Sequence, residues 1–219
     1  MILEVDNIEL NFGTKRILSG IYICAKKGAV TGILGRNGSG KTSLLKIIFG
    51  CLTPKYKSVR IDSKVIRKNL FLINKVAYLP QHPLLPKTMK VQTAFTLFEV
   101  DWDQFSKTFE SFKIYQNPTI SELSSGEVKV LETYLILHQN KKIIFLDEPF
   151  SFISPLYVEK IKSIIAEQKK DRIILITDHF YKDILEVSDN TYFLTNGHSK
   201  LIKGIKDLEN EGYTMPNSR

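Results

Sequence analysis

At 219 residues, with 43% apolar and 25% charged side chains, the chain is long enough for one substantial core or two modest domains, and its composition is that of an ordinary globular protein. The net charge of +8 comes from lysines scattered through KKGAV, PKYKSVR, NKK and QKK, with no arginine-rich block or aromatic platform, so no nucleic-acid partner is expected. No apolar run approaches the roughly 20 residues that span a bilayer, MILEVDNIEL lacks a signal-peptide pattern, and Cys24 and Cys51 have neither disulfide nor metal-ligand spacing; the chain is expected in the cytosol unless a partner tethers it.

In chain order, ILEVDNIEL (residues 2–10) alternates like a half-buried strand, and a second β-rich run, residues 17–25, follows the turn at Gly13. This hairpin leads to an apolar strand, residues 29–34, and then to GRNGSGKTS. Residues 35–42 fit G-x-x-x-x-G-K-[ST] through Gly35, Gly40, Lys41 and Thr42, and residues 42–49 continue with helical spacing. The glycines let successive backbone N–H groups turn inward, so Gly35, Arg36, Asn37, Gly38, Ser39, Gly40, Lys41, Thr42 and Ser43 predict an anion nest at the positive end of a helix. Lys41 is placed to reach β- and γ-phosphates, and the Thr42 hydroxyl to bind Mg²⁺.

Gly50 and Pro54 stop that helix, and SVRID and KVAYLP read as short strands before the proline-rich YLPQHPLLPK. Residues 91–139 turn helical, with Phe95, Phe98, Trp102, Phe105, Phe109 and Phe112 spaced as a core-facing stripe. Beyond residue 142, the buried strands IIFLD, RIILIT and NTYFLT alternate with helical stretches beginning near Pro155 and His179, the pattern of a parallel α/β sheet. The Asn-Gly of TNGHS joins two final strands, and the polar residues after Leu208 are expected to fray. KIIFLDEP ends an apolar strand in two acids, which suit different tasks in phosphoryl transfer: Asp147 the Mg²⁺ shell, Glu148 the polarisation of an attacking water.

Just upstream of that strand, ISELSSGEVKVLETYLIL puts Leu123, Ser124, Ser125, Gly126 and Glu127 at the start of a long helix. A serine and a glycine there offer a hydroxyl and unobstructed N–H groups to an anion, although serine followed by Glu127 also reads as a plain capping box. The segment resembles the L-S-G-G-Q signature of ABC-type ATPases. Other marks of that family fall in order along essentially the whole chain: Phe12 matches the aromatic that stacks on adenine, Gln81 the glutamine that contacts Mg²⁺ or water, and His179 the histidine that contacts the γ-phosphate. Ser125 stands where glycine is usual, Glu127 where glutamine is common, and Ser154 where an aspartate usually ends the loop after the acidic pair.

The resemblance implies an α/β fold: a P-loop NTPase core with a parallel sheet, an antiparallel β-subdomain and an inserted helical subdomain over about residues 87–138, all in one domain, 1–219. It implies ATP and Mg²⁺ as ligands and an active pair of chains, here a homodimer, in which each ATP lies between the phosphate loop of one chain and the signature of the other. It further implies separate transmembrane permease subunits and a place on the cytoplasmic face of the membrane. DEPF followed by proline, with TDH, looks most like the ATPases of lipopolysaccharide-export and branched-chain amino-acid transport systems. The alternative is a non-transport ABC scaffold or regulatory protein with weak hydrolysis.

Overall fold

The structure, a computed structural model, describes residues 1–115 and 117–214. Strands β1 (Ile2–Phe12) and β2 (Lys15–Lys26) form the expected hairpin, then β3 (Val30–Gly35) enters the phosphate loop and α1 (Lys41–Phe49) leaves it. There follow β4 (Tyr56–Ile61), β5 (Lys64–Val65) and β6 (Val76–Leu79), then α2 (Val91–Phe98), α3 (Trp102–Thr108) and α4 (Ser125–His138). The last part comprises β7 (Ile143–Asp147), α5 (Pro155–Gln168), β8 (Ile173–Thr177), α6 (Tyr181–Val187), β9 (Asn190–Thr195), β10 (His198–Ile202) and α7 (Ile205–Asn210).

Two sheets result. An antiparallel sheet has the order β2-β1-β4-β5, and a six-stranded sheet the order β10-β9-β3-β8-β7-β6, parallel except for its edge strand β10. The Asn196-Gly197 turn before β10 has both residues at positive φ, as a tight two-residue hairpin turn requires.

Strands β7 and β8 are buried on both faces, and period-2 alternation divides them between two cores. Ile144, Leu146, Ile174 and Ile176 pack towards α4 and α5, while Ile143, Phe145, Ile173 and Leu175 pack towards α1 and the antiparallel sheet. Lys162 on α5 is bound by Glu159, Asp183 and Glu186 at 2.6–2.9 Å, which fastens α5 to α6 and holds its ammonium above the usual lysine range despite burial.

Between residues 87 and 138 the aromatic residues lie on several short elements. Glu99, at φ +56, ends α2; Asp101 accepts from Asp103 N–H at 2.8 Å and starts α3; a 3-10 turn follows over Glu110–Ile114. Phe105 sits at the meeting point, its ring centroid 4.9–5.5 Å from those of Phe95, Trp102, Phe109, Phe112 and Tyr134. The expected stripe is thus a cluster built where α2, α3, the 3-10 turn and α4 converge.

The expectation of fraying after Leu208 is corrected through residue 214, and its remainder, 215–219, lies outside the described residues. Helix α7 runs to Asn210, Tyr213 packs against Phe193 with centroids 5.1 Å apart, and Arg36 donates to the Gly212 carbonyl at 2.5 Å. Polarity alone suggested a loose end, but one aromatic with a packing partner fixes the segment.

Parallel pairing sets the site. Asp147 lies opposite Thr177, Leu79 opposite Leu146, and Ile33 opposite Thr177. The carboxyl ends of β3, β8, β7 and β6 therefore meet along one edge, where open α/β sheets bind ligands.

Candidate functional site

Gly38 and Gly40 have φ of +79° and +98°, conformations that L side chains rarely adopt, and a Cβ on Gly35 would lie 2.8 Å from the Leu194 carbonyl oxygen. The loop can therefore turn its amides inward only with glycine at these points. Lys41 is buried, and its Nζ donates to the carbonyls of Gly35 at 2.8 Å and Arg36 at 3.4 Å. Burial lowers its pKa, against the opposing pull of Glu148, Asp147 and Asp178.

Asp147 is fully buried and receives three hydroxyls: Thr42 Oγ1 at 3.1 Å and Thr177 Oγ1 at 2.7 Å on Oδ1, and Tyr78 OH at 3.1 Å on Oδ2. Burial first, and then the adjoining carboxylate, hold the Tyr78 phenol above its usual range, so it stays a donor. An all-oxygen set centred on a carboxylate and a threonine hydroxyl fits a hard divalent cation such as Mg²⁺.

Glu148 has φ +53 and anchors its own N–H on the Thr177 carbonyl at 2.8 Å. Its Oε2 accepts from the Gln81 amide at 3.0 Å and lies 3.9 Å from Nδ1 of His179. Asp178, wholly buried, accepts from the N–H groups of Phe150 at 3.1 Å, His179 at 2.7 Å and Phe180 at 3.2 Å, and its carboxylate lies 3.3 Å from His179 Nδ1. Desolvation raises the Asp178 pKa in spite of those donors.

Phe12, Asn37, Gly38, Gly40, Lys41, Thr42, Ser43, Gln81, Glu148 and His179 line one cavity of about 660 Å³. Gly35, Arg36 and Ser39 do not line it: the Arg36 guanidinium turns to Gly212, and the Ser39 hydroxyl is buried with no hydrogen-bond partner among the described residues. The signature stands apart. Ser124, Ser125, Gly126 and Glu127 line a second hollow with Phe152, Ile153 and Ser154, and Phe152 borders both cavities.

The capping-box reading of the signature is realised: Ser124 N–H and Oγ donate to Glu127 Oε2 at 2.9 and 2.7 Å, and Glu127 N–H returns a bond to Ser124 Oγ at 3.3 Å. Gly126 is required for close approach, since a Cβ there would lie 2.6 Å from the Phe152 carbonyl oxygen.

Tyr78, Thr177 and Asp178 were not singled out from the sequence, although each touches a residue that was. Their signal is positional. Tyr78 lies one residue from the end of β6, Thr177 ends β8 and Asp178 follows it, so the topology that gathers strand tips at one edge gathers them too.

Residues 18–151 match the family model described as ABC transporter. Over 219 residues the chain is 25% identical to the uncharacterized ABC transporter ATP-binding protein YhaQ of Bacillus subtilis, covering 95% of this chain and 73% of that one. It is 27% identical to the lipopolysaccharide export system ATP-binding protein LptB of Haemophilus influenzae, covering 90% and 88%. Against the galactose/methyl galactoside import ATP-binding protein MglA of Treponema denticola it is 28% identical but spans only 45% of that protein. Among solved structures, an ATP-binding cassette of an ABC transporter in its ADP conformation superposes with a TM-score of 0.75 at 28% identity, covering 95% of this chain and 93% of that one.

Proposed function

The chain belongs to the ABC transporter family, and from that premise we propose that it couples ATP hydrolysis to movement of a cargo through separate transmembrane permease subunits. As a member it is a nucleotide-binding ATPase. Among the described residues no helix is long and apolar enough to cross a membrane, which agrees with pore-forming subunits on other chains and with a peripheral place on the cytoplasmic face. Relatives named for lipopolysaccharide export and for galactose import stand at 27% and 28% identity, so the likeness follows the shared ATPase and not a cargo.

In this reading, Phe12 stacks on adenine and the loop of residues 35–43 holds the phosphates, with Lys41 as its point charge. Thr42 and Asp147, with Gln81 nearby, would hold Mg²⁺, which when bound would supply positive charge to offset that of the phosphates. Glu148 polarises the attacking water and His179 contacts the γ-phosphate, its ring oriented by Asp178. Ser124, Ser125 and Gly126 close the site from a second copy of the chain. The carrying observation is that the Lys41-Thr42 pair, Gln81, Glu148 and His179, from four distant points of the sequence, line one cavity.

The test is Glu148→Gln, which keeps shape and removes the basic oxygen. ATP binding should persist while hydrolysis falls about 10²–10⁴-fold. Near-normal phosphate release from the purified variant would place the base elsewhere.

One observation favours a nucleotide-dependent scaffold with weak hydrolysis: Glu127 already holds the Ser124 hydroxyl and sets a carboxylate beside it, where a phosphate would approach. Turnover of the wild-type chain with and without its membrane partner separates the two.

A further inference from the structure

Two charged side chains one turn apart on α4 are buried without forming an ion pair among the described residues. Lys129 is 8% exposed and Glu132 is 1% exposed. Lys129 Nζ donates to the carbonyls of Pro80 at 3.2 Å and Gln81 at 3.3 Å. Glu132 Oε1 accepts from the N–H groups of Leu84 at 2.7 Å and Leu85 at 2.8 Å. Both contacts therefore fall on the same short segment, residues 80–85, which has no helix or strand and carries Pro80 and Pro83.

Burial holds the Lys129 ammonium below its usual range and pushes the Glu132 carboxyl up, so both groups are desolvated at a cost. Packing alone does not ask for charges here, because apolar residues of similar volume commonly fill such positions with equal or better stability. What the charges add is specification of a backbone path: two carbonyls and two amides that no ladder satisfies are each given a partner. The path matters because Gln81, within the segment, puts its amide 3.0 Å from Glu148 Oε2.

We propose that Lys129 and Glu132 are positioning residues for hydrolysis: they fix residues 80–85 so that the Gln81 amide is presented to Glu148, and they tie that amide to the helix that begins at the signature. Movement of α4 is then felt at Glu148 through Gln81. The inference rests on the reading of Glu148 as the hydrolytic base.

The experiment compares Lys129→Met with Lys129→Arg, and Glu132→Leu with Glu132→Gln, in the full chain. Methionine keeps the unbranched stem of lysine, one atom shorter, without the charge, and glutamine keeps an acceptor oxygen. In Glu132→Leu, amide hydrogen exchange at Leu84 and Leu85 should accelerate about tenfold or more while the exchange of β7 and β8 stays as it was, and Glu132→Gln should restore slow exchange. Lys129→Met and Glu132→Leu should each lower kcat for ATP about tenfold with KM changed less than about twofold, and the Arg and Gln variants should recover most of it. In a Gln81→Ala background, Lys129→Met should cost less than about a further twofold, since the group it positions is gone.

Unchanged kcat, a rise in KM alone, or a full tenfold loss that persists in the Gln81→Ala background would overturn the proposal by itself. Absence of turnover in the wild-type chain would overturn the reaction assigned to Glu148 and this proposal with it. If Lys129→Met does not fold, the Glu132 pair carries the same kinetic and exchange comparison.

Discussion

Phe152 illustrates how a single residue can carry strain into a site. Its φ of +66 is unfavourable for a bulky side chain, and its ring is 85% exposed on the border between the two cavities. The surroundings fix it there: its carbonyl occupies the space a Cβ on Gly126 would take, and the N–H of Phe150, two residues earlier, is held by Asp178. A left-handed non-glycine residue costs about 1–2 kcal/mol. Phe152→Gly should therefore raise the unfolding midpoint of the unliganded chain, by about 2–4 °C for each kcal/mol released. Calorimetry decides it, and an unchanged or lower midpoint would mean that the ring's contacts outweigh the strain. Nothing in FSFISP announces this conformation. Gly38 and Gly40 were legible because their residue type is chosen for positive φ, whereas Phe152 and Glu148 take it against their type, under tertiary constraint.

Among elements, legibility follows burial on two faces. IIFLD and RIILIT are continuous apolar runs because both sheet faces are covered, and their strands fall where the runs do. Residues 91–139 were harder: one helical period covers them, yet Glu99, Asp101 and the 3-10 turn break the path into pieces that meet at Phe105. Short β5 has two exposed residues and therefore no apolar pattern to read. The convergence predicts a shared dependence. Phe105→Ala leaves a void faced by α2, α3 and α4 and should destabilise the chain by about 3–5 kcal/mol. Denaturant unfolding followed by the fluorescence of Trp102, whose ring lies 5.5 Å from Phe105, checks it. A loss near 1 kcal/mol would show that the three helices do not rely on a common centre.

At the scale of the whole molecule, the gathering of Lys41, Gln81, Glu148 and His179 was readable because each lies just past a strand tip with a motif on it, and parallel pairing brings the tips to one edge. The signature was readable as letters, but its separation from the phosphate loop was not, since only the fold sets Ser124 in a different hollow from Lys41. That separation gives the proposed dimer its sharpest test. If a site takes its phosphate loop from one chain and its signature from another, then Lys41→Ala and Ser124→Arg homodimers each hold two damaged sites. A mixed dimer instead holds one site with both lesions and one with neither. Mixing the two preparations, with differential tags to confirm the mixed species, should restore phosphate release, although coupling between sites keeps the recovery below half of the wild-type rate. Confirmed mixed dimers without recovery would exclude one independently competent composite site. Full activity of Ser124→Arg alone would eliminate the contact in trans and leave the Ser124–Glu127 capping box as the whole role of the segment.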